Sequence, residues 1–204
     1  MGAETFVLIR DVVVGLSALV VAGTAILGLH TWRRELTGKA KFEVARNVIL
    51  LALRLRADFD WARNPGGWSW EYADRARREN EASKESQVLD QWYAKNQRLE
   101  PLAKNLQKLQ EASWETEVVL GERLSESVSE AVSVYRNSYA ELSTAIYSHF
   151  EILHGEALGS DVNQRREGQK ELRKIIYSAK GDEFSTRIEE ATKQLSAALK
   201  TYVK

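Results

Sequence analysis

The chain has 204 residues with 29 basic and 29 acidic side chains, two prolines and no cysteine. This length fits one domain, or one domain plus an anchor, and 28% charged with 44% hydrophobic residues excludes a disordered tail or a wholly membrane-embedded protein. The lack of cysteine excludes disulfide scaffolds, zinc ribbons, iron–sulfur sites and cysteine nucleophiles. Zero net charge argues against bulk attraction to nucleic acid, so no nucleic-acid partner is expected.

The first element is an apolar run from Val12 to Leu29 that contains no charged residue. A helix of about 18 residues is about 27 Å long, close to the ~30 Å of a hydrocarbon core. The run predicts a single N-terminal transmembrane helix within residues 1–32 and makes the lipid bilayer a partner. Two alternatives stay open: a cleaved signal peptide, whose apolar core is normally shorter and follows basic residues, and a buried helix of a soluble core.

The charges beside this run predict its orientation. Arg33 and Arg34 follow the run, with further basic residues after them, whereas Arg10 is the one basic side chain before it. Because basic flanks stay cytoplasmic, we expect the N-terminus outside the cell (inner) membrane and the C-terminal domain in the cytoplasm. Trp32, Arg33 and Arg34 are the expected anchors at the membrane interface, since such side chains reach the headgroup layer.

One face of the predicted span carries small residues: Gly15, Ala18, Ala22 and Ala25. Their spacings of three, four and three place them on the same side of a helix. Small residues allow two helices to approach closely in lipid, so this face is a candidate for self-association into a homo-oligomer. The alternative is that glycine and alanine are common in any membrane helix and carry no such role here.

Residues 33–204 are rich in Glu, Lys, Arg, Ala, Leu and Ser, and show no sustained strand alternation, so they predict a cytoplasmic all-helical domain. Apolar residues at helical spacing predict a first helix from Leu36 to Arg63, ended by Asn64-Pro65-Gly66-Gly67. Gly38 is a candidate hinge. Whether the membrane helix continues unbroken through Gly38 is left open by the sequence.

Two long helices are predicted next, over Ser83–Val119 and Glu122–His154. Apolar residues in the first of them repeat at seven-residue spacings: Trp92, Leu99 and Leu106, with Leu102 and Leu109. This pattern predicts a coiled-coil-like antiparallel hairpin, in which Pro101 kinks or restarts the helix.

The rest of the chain predicts a loop over residues 155–162, a charged helix from Val162 to Ser178, and a last helix with Asp182 as its N-cap. The fold class is therefore all-α: one transmembrane helix followed by an elongated bundle of about five helices.

Aromatic residues Trp68, Trp70 and Tyr72 follow the predicted turn and precede several arginines. Acidic residues alternate with these arginines, which cancels the positive field that nucleic acid would need. The sequence favours a packed or capped loop, with contact to a protein partner or to lipid headgroups as the alternative.

No residue pattern indicates catalysis, and we expect no enzyme, no cofactor and no metal. His149 and His154 are five residues apart, which places their rings on different helix faces and prevents a shared zinc ion. Phosphate-binding glycine loops and the G-x-S-x-G nucleophile motif are absent from the sequence.

The leading functional hypothesis is a single-pass, membrane-anchored helical interaction or scaffold module that binds a protein partner of unknown identity. The alternative is a membrane-acting effector that oligomerises through its transmembrane helix and perturbs the bilayer. A third class, an enzyme or a sensor of a small ligand, requires a pocket between the helices, for which the sequence names no lining residues.

Overall fold

The computed structural model describes residues 2–157, 166–179 and 181–203, and these residues confirm the all-α prediction. They are 87% helical and contain no strand. The five α-helices are α1 (Ala3–Ala62), α2 (Ser83–Leu120), α3 (Glu122–Ala157), α4 (Arg166–Ile176) and α5 (Glu183–Leu199). Two short 3-10 helices cover Ser69–Tyr72 and Lys200–Tyr202.

Helix α1 unites the two predicted N-terminal stretches, since it passes through Gly38 without a break. Contacts divide the chain into two compact units, Met1–Glu43 and Val44–Lys204. In the first unit, α1 is long and apolar enough to cross a membrane: it holds an 18-residue window of mean hydropathy 2.0, none of it buried.

In the second unit, α2 and α3 form the predicted antiparallel hairpin. The rings of Trp92 and Phe150 stack with centroids 4.5 Å apart, and His154 Nε2 lies 3.5 Å from Glu85 Oε1. Residue numbers rise along α2 as they fall along α3, which defines the antiparallel sense. A single residue, Gly121, joins the two helices at φ 93°, a conformation that glycine adopts readily.

The remaining helices of this unit alternate in direction in the same way. Helix α1 is antiparallel to α2, because Lys95 donates a hydrogen bond to Ala62 and Asn105 donates one to Asp58. Helix α5 lies antiparallel to α3, with contacts that include Tyr135 and Thr192, whose hydroxyl oxygens are 2.8 Å apart. Residues 44–203 therefore contain an up-down-up-down arrangement of α1, α2, α3 and α5, with α4 packed against α3.

The heptad residues of α2 point into this core. Leu99, Leu102 and Leu109 are buried, and Trp92 and Leu106 pack against the core while partly exposed. The predicted restart at Pro101 is wrong, because α2 continues on both sides of it. A proline inside a helix removes one N–H···O=C bond, and the buried leucines on either side stabilise the helix across that gap.

Two predicted boundaries differ from the structure. The predicted loop is wrong for residues 155–157, which belong to α3; the remainder of that loop, and the predicted helix start at Val162, lie outside the described residues. Helix α4 ends at Ile176 rather than Ser178. The helix ends earlier because Arg63 donates hydrogen bonds to the carbonyl oxygens of Lys174, Ile175 and Tyr177, which satisfy the last carbonyl groups of α4 and the turn after it.

Asp182 is the N-cap of α5, as predicted. Its side chain accepts hydrogen bonds from the backbone N–H of Ser185 (2.9 Å) and of Ala179 (3.0 Å), and it pairs with Arg63 at 2.9 Å. Burial of the carboxylate opposes its ionisation, but these hydrogen bonds outweigh burial and lower the pKa of Asp182 to about 2. The cap therefore joins α5 to the ends of α1 and α4.

Replacing Asp182 by Ala should lower the unfolding free energy of the full-length chain in detergent micelles by about 1–2 kcal/mol, because the cap is lost. Asp182→Asn retains a capping oxygen but not the charge. The pKa of the folded state is below the ordinary value of 3.8, so the charge stabilises the fold above about pH 4 and ceases to do so as pH falls towards 2. Acid unfolding followed by circular dichroism should depend less on pH in Asp182→Asn than in the wild type; equal dependence contradicts this role.

Candidate functional site: a cationic cleft beside a tryptophan cluster

The site is built around the carboxyl end of α1 and the turn that follows it, whose carbonyl oxygens accept hydrogen bonds from two cations of α2. Lys95 Nζ donates to the carbonyl oxygens of Ala62 (2.9 Å) and Asn64 (3.0 Å). Arg98 donates to the carbonyl oxygens of Asn64 (2.7 Å) and Gly66. The last turn of α1 contains no basic residue, so a neighbouring helix supplies the positive charge that a helix C-terminus favours.

Arg98 is neutralised by Glu71, and both side chains are buried. Arg98 Nε and Nη2 lie 2.6 and 2.7 Å from the two carboxylate oxygens, and Glu71 also accepts the backbone N–H of Trp68 at 3.0 Å. The hydrogen bond from Arg98 lowers the pKa of Glu71 below its ordinary value, against the opposing effect of burial. This pair fixes the 3-10 turn Ser69–Tyr72 against α2.

The turn holds Trp68 and Trp70 against Trp61 of α1, and we call these three residues the tryptophan cluster. Ring centroids lie 5.2 Å apart for Trp61 and Trp68 and 6.3 Å apart for Trp68 and Trp70, with planes within 22° of parallel. The guanidinium of Arg98 lies 4.8 Å from the centroid of the Trp61 ring. Trp68 is 41% exposed and Trp70 64% exposed, so the cluster forms a rigid apolar surface.

Beyond the turn, Arg75 anchors the following segment rather than facing solvent. It donates two hydrogen bonds to the carboxylate of Glu81 (2.9 and 2.7 Å) and one to Asp90 (2.6 Å) on α2. Hydrogen bonding to Arg75 lowers the pKa of Glu81, against some desolvation. Arg75 and Arg77 are therefore paired with acidic residues of this segment and of α2.

On the other side of Arg98 lies a cleft with a volume of about 790 Å³. Tyr72 and the turn after α1 form one wall, α2 and α3 form the floor, and α4 forms the opposite wall. Five of its lining side chains are basic: Lys95, Arg98, Lys170, Arg173 and Lys174. None of the lining residues that the structure describes is acidic, and the apolar lining includes Trp92, Ile146, Phe150, Leu153 and Tyr177.

Lys95 lines this cleft and is half-buried. Its ammonium lies 4.9 Å from the centroid of the Tyr177 ring. Burial, reinforced by the nearby charges of Arg98 and Arg63, lowers the pKa of Lys95 to about 7, while Glu71 acts in the opposite direction. The pKa of Lys95 is therefore close to neutral pH, where this lysine can gain or lose its proton.

The structure brings some predicted residues together and leaves others apart. Trp68 and Trp70 belong to the tryptophan cluster, while Tyr72 is half-buried and lines the cleft. In the first unit, the residues of the candidate self-association face are exposed: Gly15, Ala18, Ala22 and Ala25. The expected interface anchors are exposed as well: Trp32, Arg33 and Arg34. Within the described ranges, no group of three His, Asp or Glu side chains is arranged to hold a metal ion.

Sequence reasoning missed the cleft because Lys95 and Arg98 lie on α2, whereas Lys170, Arg173 and Lys174 lie on α4, some 70 residues later in the chain. Trp61 was also missed, although it precedes the Asn64–Gly67 turn that Trp68 and Trp70 follow. Aromatic residues on both sides of a tight turn are a usable signal, because the turn brings its two flanks into contact.

Glu71→Gln should destabilise the full-length chain in micelles by about 2–4 kcal/mol, because it leaves the charge of Arg98 buried without compensation. Tryptophan fluorescence during chemical unfolding reports this directly, since the cluster rests on the same pair. The matched control is Glu79→Gln in the same segment, an exposed residue where we expect a change below about 0.5 kcal/mol. Equal stabilities of the two variants would show that the buried pair is not required.

No protein-family model, curated protein or solved structure is significantly similar to this chain.

Proposed function

We propose that the protein is a single-pass membrane-anchored helical module, without enzymatic activity, that binds a protein partner at the cytoplasmic face of the inner membrane. The observation that carries this proposal is the exposed tryptophan cluster of the second unit. The apolar part of α1 supplies the anchor, and residues 44–203 supply the folded surface.

The anchor is supported by the exposure of aliphatic side chains that water would disfavour. Leu19 and Leu27 are each 70% exposed, although leucine at such helix positions is normally covered. A bilayer covers them and leaves no backbone group without a hydrogen bond, because a helix bonds its own backbone. Arg33 and Arg34 after the run favour a cytoplasmic location for the second unit.

The tryptophan cluster has the properties of a protein-binding surface. Tryptophan and arginine dominate the energetic centres of interfaces, because a large rigid side chain loses little conformational entropy on binding. Stacking on Trp61 and Trp68 holds Trp70 in place before a partner arrives. Attachment to a membrane raises the effective concentration of this surface towards partners in the same membrane.

The orientation can be tested with single cysteines, because the chain has none of its own. In intact spheroplasts, a membrane-impermeant maleimide should label Gly2→Cys, while Ser127→Cys, an exposed position of α3, should react only after permeabilisation. The reverse pattern would place the second unit outside. Recovery of both variants in the soluble fraction would remove the anchor from the proposal.

The partner surface can be tested by crosslinking the full-length protein in native membranes and identifying captured proteins by mass spectrometry. Trp70→Ala should reduce recovery of the captured partner about tenfold or more, in line with the loss of an interface tryptophan. Trp114→Ala is the matched control, because Trp114 is 60% exposed on α2 and lies outside the cluster.

Equal effects of Trp70→Ala and Trp114→Ala would contradict a partner site at the cluster. Capture of this chain alone, through α1, would replace the proposal with the membrane-acting effector. In that case Ala18→Ile with Ala22→Ile should abolish the self-crosslinks, because larger side chains separate the small-residue faces.

A further inference from the structure

We propose that the cleft between α2, α3 and α4 binds a small phosphate-bearing ligand, a phosphate monoester joined to an apolar body. This inference is independent of the partner surface, since Trp68 and Trp70 do not line the cleft. It assigns a second binding activity to the same folded unit.

The size of the cleft suits such a ligand. Its volume of about 790 Å³ falls within the roughly 300–1,000 Å³ typical of small-molecule sites. It opens to solvent along α4, where Lys170, Arg173 and Lys174 are exposed. A ligand can therefore enter without unfolding any helix.

Charge sets the chemistry of the polar half. Of the five basic lining residues, Arg98 is neutralised by buried Glu71, and Lys174 pairs with exposed Glu171 at 2.6 Å. Lys95, Lys170 and Arg173 have no such carboxylate among the ion pairs of the described residues. Three cations around one cavity match a phosphate dianion better than a single carboxylate, and arginine and lysine both bind phosphate oxygens.

The floor of the cleft sets the chemistry of the other half. Trp92 and Phe150 stack across α2 and α3, and Ile146 and Leu153 lie on the same side of α3. Tyr177 lies opposite, at the end of α4. A planar base or a short hydrocarbon chain would cover these apolar groups while its phosphate reaches the cations.

The state of Lys95 adds an energetic argument. Burial and the nearby charges of Arg98 and Arg63 disfavour its ammonium form, although its Nζ also donates to the carbonyl oxygens of Ala62 and Asn64. A bound phosphate would favour the ammonium form, because it adds an opposite charge. Binding should therefore weaken as pH rises above about 7, where Lys95 must gain a proton when the ligand binds. The groups that face Lys95 are Arg63, Glu71, Arg98 and the Tyr177 ring, and of these only the basic residues lower its pKa.

The test is isothermal titration of the full-length protein in zwitterionic phosphatidylcholine nanodiscs. Four probes separate the parts of the ligand: AMP, adenosine, inorganic phosphate and water-soluble dibutanoyl-phosphatidic acid. We expect AMP or dibutanoyl-phosphatidic acid to bind with Kd below about 1 mM, and adenosine and phosphate to bind at least about tenfold more weakly. Tighter AMP binding identifies a nucleotide as the source of the phosphate, and tighter phosphatidic acid binding identifies a lipid headgroup.

Variants locate the binding. Lys170→Glu with Arg173→Glu reverses two exposed charges at the mouth of the cleft and should weaken the better probe by about tenfold or more. Lys108→Glu with Arg123→Glu changes net charge equally at exposed positions away from the cleft, and should alter Kd by less than about twofold. Circular dichroism confirms that both variants are folded.

Three results would each overturn the proposal. The first is no binding of either phosphate-bearing probe at about 2 mM in low salt. The second is adenosine binding as tightly as AMP with no binding of dibutanoyl-phosphatidic acid, which would remove the role of the phosphate. The third is equal weakening by the two pairs of charge reversals, which would reduce the effect to net charge.

Discussion

The carboxyl end of α1 is buried inside the protein, and the surrounding structure is organised to satisfy it. A helix C-terminus leaves carbonyl oxygens without intrahelical donors, and burial removes the water that would otherwise bind them. Lys95 reaches the carbonyl oxygen of Ala62 from α2, and Arg98 binds carbonyl oxygens of the turn that follows α1. Arg63, only 1% exposed, turns to the end of α4 and to the cap of α5. Cations at two helix ends thus determine how α1, α2, α4 and α5 meet.

The tryptophan cluster and the cleft between α2, α3 and α4 both depend on this arrangement. Arg98 separates them: one face of its guanidinium lies over the tryptophan cluster, while its side chain also lines the cleft. Glu71 keeps that guanidinium neutralised and in place. The buried Arg98–Glu71 ion pair supports both surfaces. A displacement of this pair would therefore alter the tryptophan cluster and the cleft together.

The parts of the fold that local patterns determine were predictable, whereas the parts that depend on distant charges were not. Leucines at seven-residue spacing identified the buried face of α2, and Asp182 before a helical stretch identified the cap of α5. Trp68 and Trp70 were singled out as aromatic residues that precede several arginines. Lys95 and Arg98 looked like ordinary helix-surface charges, since nothing in the local sequence shows that they bind carbonyl oxygens some 31–34 residues earlier. The cleft depends on those pairings, so local patterns could not reveal it.

The hydrogen bonds of Arg63 also set the order in which the chain can complete its fold. They join residues 111–122 positions apart, from Arg63 to Lys174 and Ser185. At a translation rate of about 5–20 residues per second, the partners of Arg63 emerge roughly 6–24 s after it. The contacts of the α2–α3 hairpin, such as Trp92 with Phe150, join residues closer in sequence than those of Arg63, and the hairpin can form during that interval. The last two helices then close the structure onto a preformed hairpin, so a nascent chain that stops before α5 retains both helices of the hairpin but lacks the lock at the end of α1.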